Sequence, residues 1–333
     1  MLDFIKSRNT TIDLLRFIGL SLIILAHVKP TVQSSELLFQ LRIFDVPLML
    51  FISGLAYSGR KADFSAQFFI KRIKRLVIPV YIFLTAYFVA VFIARMAGID
   101  FGVRVNHVVG SYLLMGGIGY VWVIRVFLIV SMLTPCLLLL DRKIRSNSQW
   151  CLIMVGTLIV DELLITNGVG VNSLFVREFV YYGIGYGLMF FLGLRYCHLS
   201  GSLKAAVFAV AALGFAGLQF IEYRPQMGGV ISPFKYPPRA MFLLYGAAMS
   251  ILVATLAKKL TARHHVPKWM LFIGQNTIWI YLYHIPLIQL TGMVAMPWGV
   301  RYLIVYMLAA FAVYVQNLIV NRFKFSYSGY FVG

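Results

Sequence analysis

The chain reads as an all-α, polytopic integral membrane protein, and three observations predict that class. Of its 333 residues 61% are hydrophobic and only 12% are charged, with a mean hydropathy of +0.84, a balance no soluble domain of this size carries on its surface. The apolar residues gather into ten runs, at roughly 12–28, 43–58, 76–97, 119–140, 149–166, 178–194, 205–221, 240–256, 269–290 and 302–320. Each run approaches the ~20 residues that a helix needs to cross a bilayer core. The basic residues, finally, lie almost entirely in the segments between the runs.

Their distribution also orients the chain. Of 30 Lys and Arg, 19 fall in the two termini and the loops 59–75, 141–148, 195–204 and 257–268, against 8 in the five opposite loops. Positive-inside bias places the richer set, and with it both termini, in the cytoplasm. Membrane orientation and contact with anionic lipid account for the net charge of +19, so nucleic acid is excluded as a partner. Cys136, Cys151 and Cys197 show neither metal-ligand spacing nor a disulfide pattern and read as packing residues. No small-residue cleavage site follows the first run, which therefore reads as a retained helix. No phosphate-binding loop, zinc motif or internal repeat is visible. The chain is expected to form one transmembrane domain over residues 1–333, with no appended soluble domain and no metal.

The first run, TIDLLRFIGLSLIILAHV, carries Arg16 and His27, which a plain anchor would avoid. Eleven residues apart on a helix, they differ by three turns plus about 20° and stand about 16 Å apart along one face. A permanent cation near the inner surface and a titratable imidazole toward the outer one then face the same interior space. Two blander readings stay open: Arg16 can snorkel or pair with Asp13, and a lone histidine can be a hydrogen-bonded packing residue.

Asp45 begins the second run. Ahead of the third, KRIKR places Arg72 and Arg75 at i and i+3 with Lys74 between them. That spacing suits an orientation signal with lipid contact, on an amphipathic helix at the inner leaflet, or two phosphate groups gripped from one helical face. Arg125 lies in the fourth run three residues after Trp122, Asp161 and Glu162 close the fifth, and His284 sits in the outer third of the ninth. With the orientation above, all reach a depth similar to that of His27. They point either to a shared outer vestibule or to pairwise salt bridges between helices. The Pro- and Gly-rich loop 222–239 is placed to cap such a vestibule.

Five stretches in order resemble the membrane acyltransferase-3 family: Arg16-x10-His27 in a run opening I-D-x-L-R, then VPLMLFISG, KRIKRLVIP, YVWVIRVFL and GQNTIWIYLYHIPL. The resemblance runs from about residue 9 to 321. Members of that family transfer acyl groups, usually acetyl, from cytoplasmic acyl-CoA to envelope carbohydrates. The compact length is most similar to bacterial and phage-borne O-antigen acetyltransferases of the inner membrane. Carried over by position, the family's arginine-to-histidine motif falls on Arg16 and His27, and its R-x-x-R motif on Arg72 and Arg75. The fourth run departs from the family's commoner W-F-L pattern, with Val123 and Ile124 after Trp122 and Arg125 added.

The resemblance implies acetyl-CoA as co-substrate, its phosphates held at the inner face by Arg72, Arg75 and Lys74. It implies an envelope glycan or lipid-linked sugar as acceptor, met at the outer side by His27 as base, with Arg16 on the same face. Asp45 or His284 would fix the tautomer of His27, and Trp122, Arg125, Asp161 and Glu162 would line the acceptor vestibule. A proton-coupled glycolipid or anion transporter is the rival class. Transporters commonly show related halves and broken helices at matching positions, and neither is evident here.

Overall fold

The computed structural model describes residues 9–28, 36–223 and 230–323, together with residues 329 and 331. All ten predicted runs are helical, and no strand occurs among the described residues. The chain order is α1 (Thr10–Val28), α2 (Glu36–Leu41), α3 (Asp45–Tyr57), α4 (Ala66–Met96), α5 (Val105–Tyr112), α6 (Trp122–Lys143) and α7 (Asn147–Thr166). Then follow α8 (Tyr181–Tyr196), α9 (Gly201–Glu222), α10 (Ala240–Arg263), α11 (Lys268–Gln275), α12 (Thr277–Gly292) and α13 (Trp298–Phe323). The protein is an all-α polytopic membrane protein, with 8 helical spans among the described residues long and apolar enough to cross a bilayer unaided.

The two remaining runs differ from the continuous spans expected. The sixth is a π-helical turn, Val176–Val180, leading into the 16-residue α8. Nearly all of α8 is buried, because it occupies the middle of the bundle and is surrounded by other helices. It reaches α3 at very short range: a Cβ on Gly54 would stand 1.9 Å from the Phe190 carbonyl oxygen, and one on Gly193 1.9 Å from that of Phe51. Small residues at a helix crossing let backbones approach in this way, which matters most where lipid supplies no hydrophobic drive.

The ninth run is broken into α11 and α12 at Asn276. Its Nδ2 donates to the Phe272 carbonyl at 2.8 Å, and its Oδ1 accepts from Asn317 Nδ2 at 3.0 Å. The Phe272 carbonyl also accepts from the Asn276 amide at 3.1 Å, so backbone and side chain of Asn276 together close the end of α11. α11 then lies against α1, where a Cβ on Gly274 would meet the Asp13 carbonyl oxygen at 2.0 Å.

The basic segment after α3 is corrected as well. It forms no separate interfacial helix. Ser65 accepts from the Phe68 amide at 3.2 Å as an N-cap, and α4 runs unbroken for 31 residues from there. At 1.5 Å per residue α4 is about 46 Å long, well beyond a hydrocarbon core of ~30 Å, so KRIKR extends past the core as the first turns of a spanning helix. α7 and α9 bury only two residues each and form the periphery. The core lies among α1, α3, α8, α10 and α12, and the candidate site is at the end of the bundle where α1 finishes and α3 starts.

Candidate active site

His27 lies in the last turn of α1 and is half-buried. Its Nδ1 is 2.7 Å from Nε2 of His284, and the two rings stack with centroids 4.9 Å apart. His284 is fully buried on α12, where its Nδ1 bonds the Tyr281 carbonyl oxygen one turn earlier. A carbonyl only accepts, so Nδ1 of His284 carries the proton and its Nε2 is the acceptor. Nδ1 of His27 must then donate, which leaves the lone pair of a neutral His27 on Nε2. The hydrogen bonds thereby choose the tautomer that makes Nε2 the basic atom. Tyr120 packs edge-on against His27 at 4.8 Å, and the Tyr281 hydroxyl donates to the Tyr120 carbonyl at 2.5 Å, tying the loop before α6 to α12.

His27 opens on a cavity of about 250 Å³, lined also by Arg42, Asp45, Trp122, Lys235, Tyr236 and Tyr281. Asp45 is buried and accepts from Arg42 Nη1 at 2.7 Å, Lys235 Nζ at 3.2 Å and the Val46 amide at 2.7 Å. Its side chain thus joins the start of α3 to the loop after α9. Burial pulls the Lys235 ammonium below its ordinary value, and Asp45 acts in the opposite sense. Tyr236 lines the cavity with its side chain about half exposed. Trp122 packs against Tyr236 at 5.0 Å and Tyr182 at 6.1 Å.

The charged residues expected at one outer depth therefore separate. His27, Asp45 and Trp122 line the cavity, and His284 stands directly behind His27. Asp45 is engaged by two cations, whereas His284 meets the His27 ring. Arg125 lies outside the lining, one turn beyond Trp122, where it pairs with Glu178 at 2.6 Å and covers the Tyr182 ring. Glu162 also lies outside it, accepting from Arg239 and from the Ala240 amide at 2.8 Å, which caps α10. These two are interhelical salt bridges. Asp161 is fully buried in α7 away from the cavity, with neither carboxylate oxygen hydrogen-bonded among the described residues. Of loop 222–239, Ser232, Lys235 and Tyr236 do wall the cavity, and residues 224–229 lie outside the described residues.

The remaining candidates belong to the other end. Arg16 is half-buried and 3.5 Å from Asp13, which also accepts from Gln275 Nε2 at 3.0 Å. Arg72 lies over the rings of Tyr57 and Phe68, at 4.9 and 5.3 Å, and Lys74 and Arg75 are exposed. Tyr57 closes α3 and Asp45 opens it, so the basic end and the cavity are separated by twelve residues of helix, about 18 Å.

Arg42, Lys235, Tyr236 and Tyr281 were missed by sequence reasoning. Arg42 stands three residues before Asp45, a spacing that invites an ion pair, and Tyr281 stands three before His284. Lys235 sits in a loop whose folding over the cavity no local pattern reveals.

No curated protein and no solved structure matches the chain. The family model described as an acyltransferase domain matches residues 9–320, nearly the whole chain. The ten helical runs, the arginine-to-histidine helix and that match agree: the chain belongs to the acyltransferase-3 family and is a membrane acyltransferase.

Proposed function

We propose that the protein is an O-acetyltransferase that moves an acetyl group from cytoplasmic acetyl-CoA to a sugar hydroxyl of a bacterial envelope polysaccharide, lipopolysaccharide O-antigen first among them. The observation that carries the reading is the oriented imidazole of His27, facing a cavity at the end of the bundle remote from the Arg72 cluster. That separation suits a donor too charged to cross the bilayer and an acceptor on its far side.

Arg72, Lys74 and Arg75 suit the donor chemically, since α4 carries them beyond the hydrocarbon core and two of the three are exposed. A guanidinium whose face rests on Tyr57 and Phe68 keeps its donor edges for phosphate oxygens. Coenzyme A supplies the acetyl group as a thioester, an activated acyl carbon. At the cavity, His27 Nε2 takes the proton of the acceptor hydroxyl as its oxygen attacks that carbon. The new C–O ester bond forms, the C–S bond breaks, and the proton passes from the imidazolium to the departing thiolate, restoring neutral His27. A two-step route through acetyl-His27 balances equally well.

The decisive test uses sealed inner-membrane vesicles with radiolabelled acetyl-CoA on the cytoplasmic side and O-antigen-bearing acceptor on the other. Base-labile label on the glycan supports the reading. Absence of label on this and every other envelope glycan, with folded protein present, overturns it in favour of glycolipid or anion transport.

A further inference from the structure

Among the described residues lining the cavity beside His27, Arg42 and Lys235 are balanced by Asp45 alone. Its Oδ2 accepts from Arg42, and its Oδ1 accepts from both Lys235 and the Val46 amide. The Arg42 side chain is only 4% exposed and lies on the Phe39 ring at 3.8 Å. Its Nε is buried with no hydrogen-bond partner among the described residues. An unmade donor on a buried guanidinium carries a desolvation penalty, and a second anion beside the guanidinium would offset the charge that Asp45 now shares between Arg42 and Lys235. Two cations against one carboxylate give the described cavity wall a net positive charge, which suits a second anion.

We propose that the acceptor sugar is itself anionic, and that its carboxylate or phosphate docks on Arg42 and Lys235 while a hydroxyl of the same ring faces His27. The proposal rests on the reading of His27 as the acyl-transfer base and adds the charge of the acceptor to it. A cavity of about 250 Å³ is smaller than the ~300–1,000 Å³ that encloses a drug-sized ligand, a size that suits a single sugar ring with its charged substituent. Trp122, Phe39 and Tyr236 supply the aromatic walls against which the faces of a sugar ring pack. The alternative is that Arg42, Asp45 and Lys235 are only a strut between α3 and the loop after α9.

Binding is measured apart from transfer. The purified protein is titrated calorimetrically with methyl glucuronide, glucose 6-phosphate and methyl glucoside, as wild type and as Arg42→Gln and Lys235→Met. At least one anionic sugar is expected to bind about 10–100-fold more tightly than the neutral glucoside, the range of one or two charge-assisted hydrogen bonds. The preference should fall towards unity in both variants. Stronger binding of the glucuronide identifies a carboxylate, and stronger binding of the phosphate ester a phosphorylated sugar. Equal binding of all three, no binding of either anion, or a preference surviving both substitutions overturns the proposal. Lys235→Met, in a loop, keeps the test open if Arg42→Gln does not fold. The titration needs no acetyl-CoA, so its failure leaves acyl transfer standing, and failed transfer leaves the anion site standing.

Discussion

His27 and His284, 257 residues apart in sequence, bring Nδ1 and Nε2 to 2.7 Å across the seam between α1 and α12. Because His284 is itself held by the Tyr281 carbonyl, the pair has a direction: the proton on His27 faces inward and the basic nitrogen is the other one. The first prediction concerns that nitrogen. His27→Ala should lower acetyl transfer by about 10²–10⁴-fold, the usual worth of a general base, with membrane insertion and melting temperature close to wild type. Transfer in sealed vesicles checks it, and a well-expressed variant with full activity would remove His27 from the chemistry.

His284 is a positioning residue, so its substitutions should act on kcat more than on KM. His284→Phe is expected to reduce kcat about 10–100-fold, through loss of one acceptor worth ~1.5–3 kcal/mol of orientation. His284→Gln, whose Oε1 can accept from His27, should recover part of it. If both variants lose activity equally and melt early, the histidine is packing and nothing more.

At the other end, Arg72→Lys keeps the charge and discards the planar fork that lies over Tyr57 and Phe68. The KM for acetyl-CoA should rise several-fold while topology, mapped by cysteine labelling, is unchanged. An unaltered KM would leave Arg72 as an orientation signal.

The α3–α8 crossing sets a stability prediction. Gly54→Val or Gly193→Val forces backbones apart that now leave 1.9 Å for a Cβ, and should cost at least ~1–3 kcal/mol or prevent folding. Gly217→Ala, in α9 with nothing within 4 Å, should be neutral or stabilising by up to ~1 kcal/mol. Thermal melts in one detergent compare the three variants, and equal melting temperatures would contradict the tight crossing.

Transmembrane class, the number of helical runs and the placement of Arg16 and His27 on one helix are legible in the residue order. Each depends on short-range quantities: the length of an apolar run, the period of a helix, the residue types a bilayer penalises. The break at Asn276 is marked there only by the short polar stretch Gly274-Gln275-Asn276-Thr277, which a continuous spanning helix can also carry. That the chain does break there follows from packing, where Asn317 on α13 donates to the Asn276 side chain. The burial of α8 is hidden for the same reason, as a helix facing protein and a helix facing lipid are equally apolar.

Residue order is likewise enough to put His27 near one membrane surface with charged residues from other helices at its depth. Which of them it meets follows from the packing of the helices. His284 rather than Asp45 reaches the His27 ring, Arg125 and Glu162 are drawn off to Glu178 and Arg239, and Arg42 and Lys235 are brought to the cavity around Asp45. Depth along a helix follows from residue number, but the partner of a charge depends on how helices rotate and cross. In a bilayer, where an unpaired charge costs several kcal/mol, those crossings settle which charges meet a counterpart.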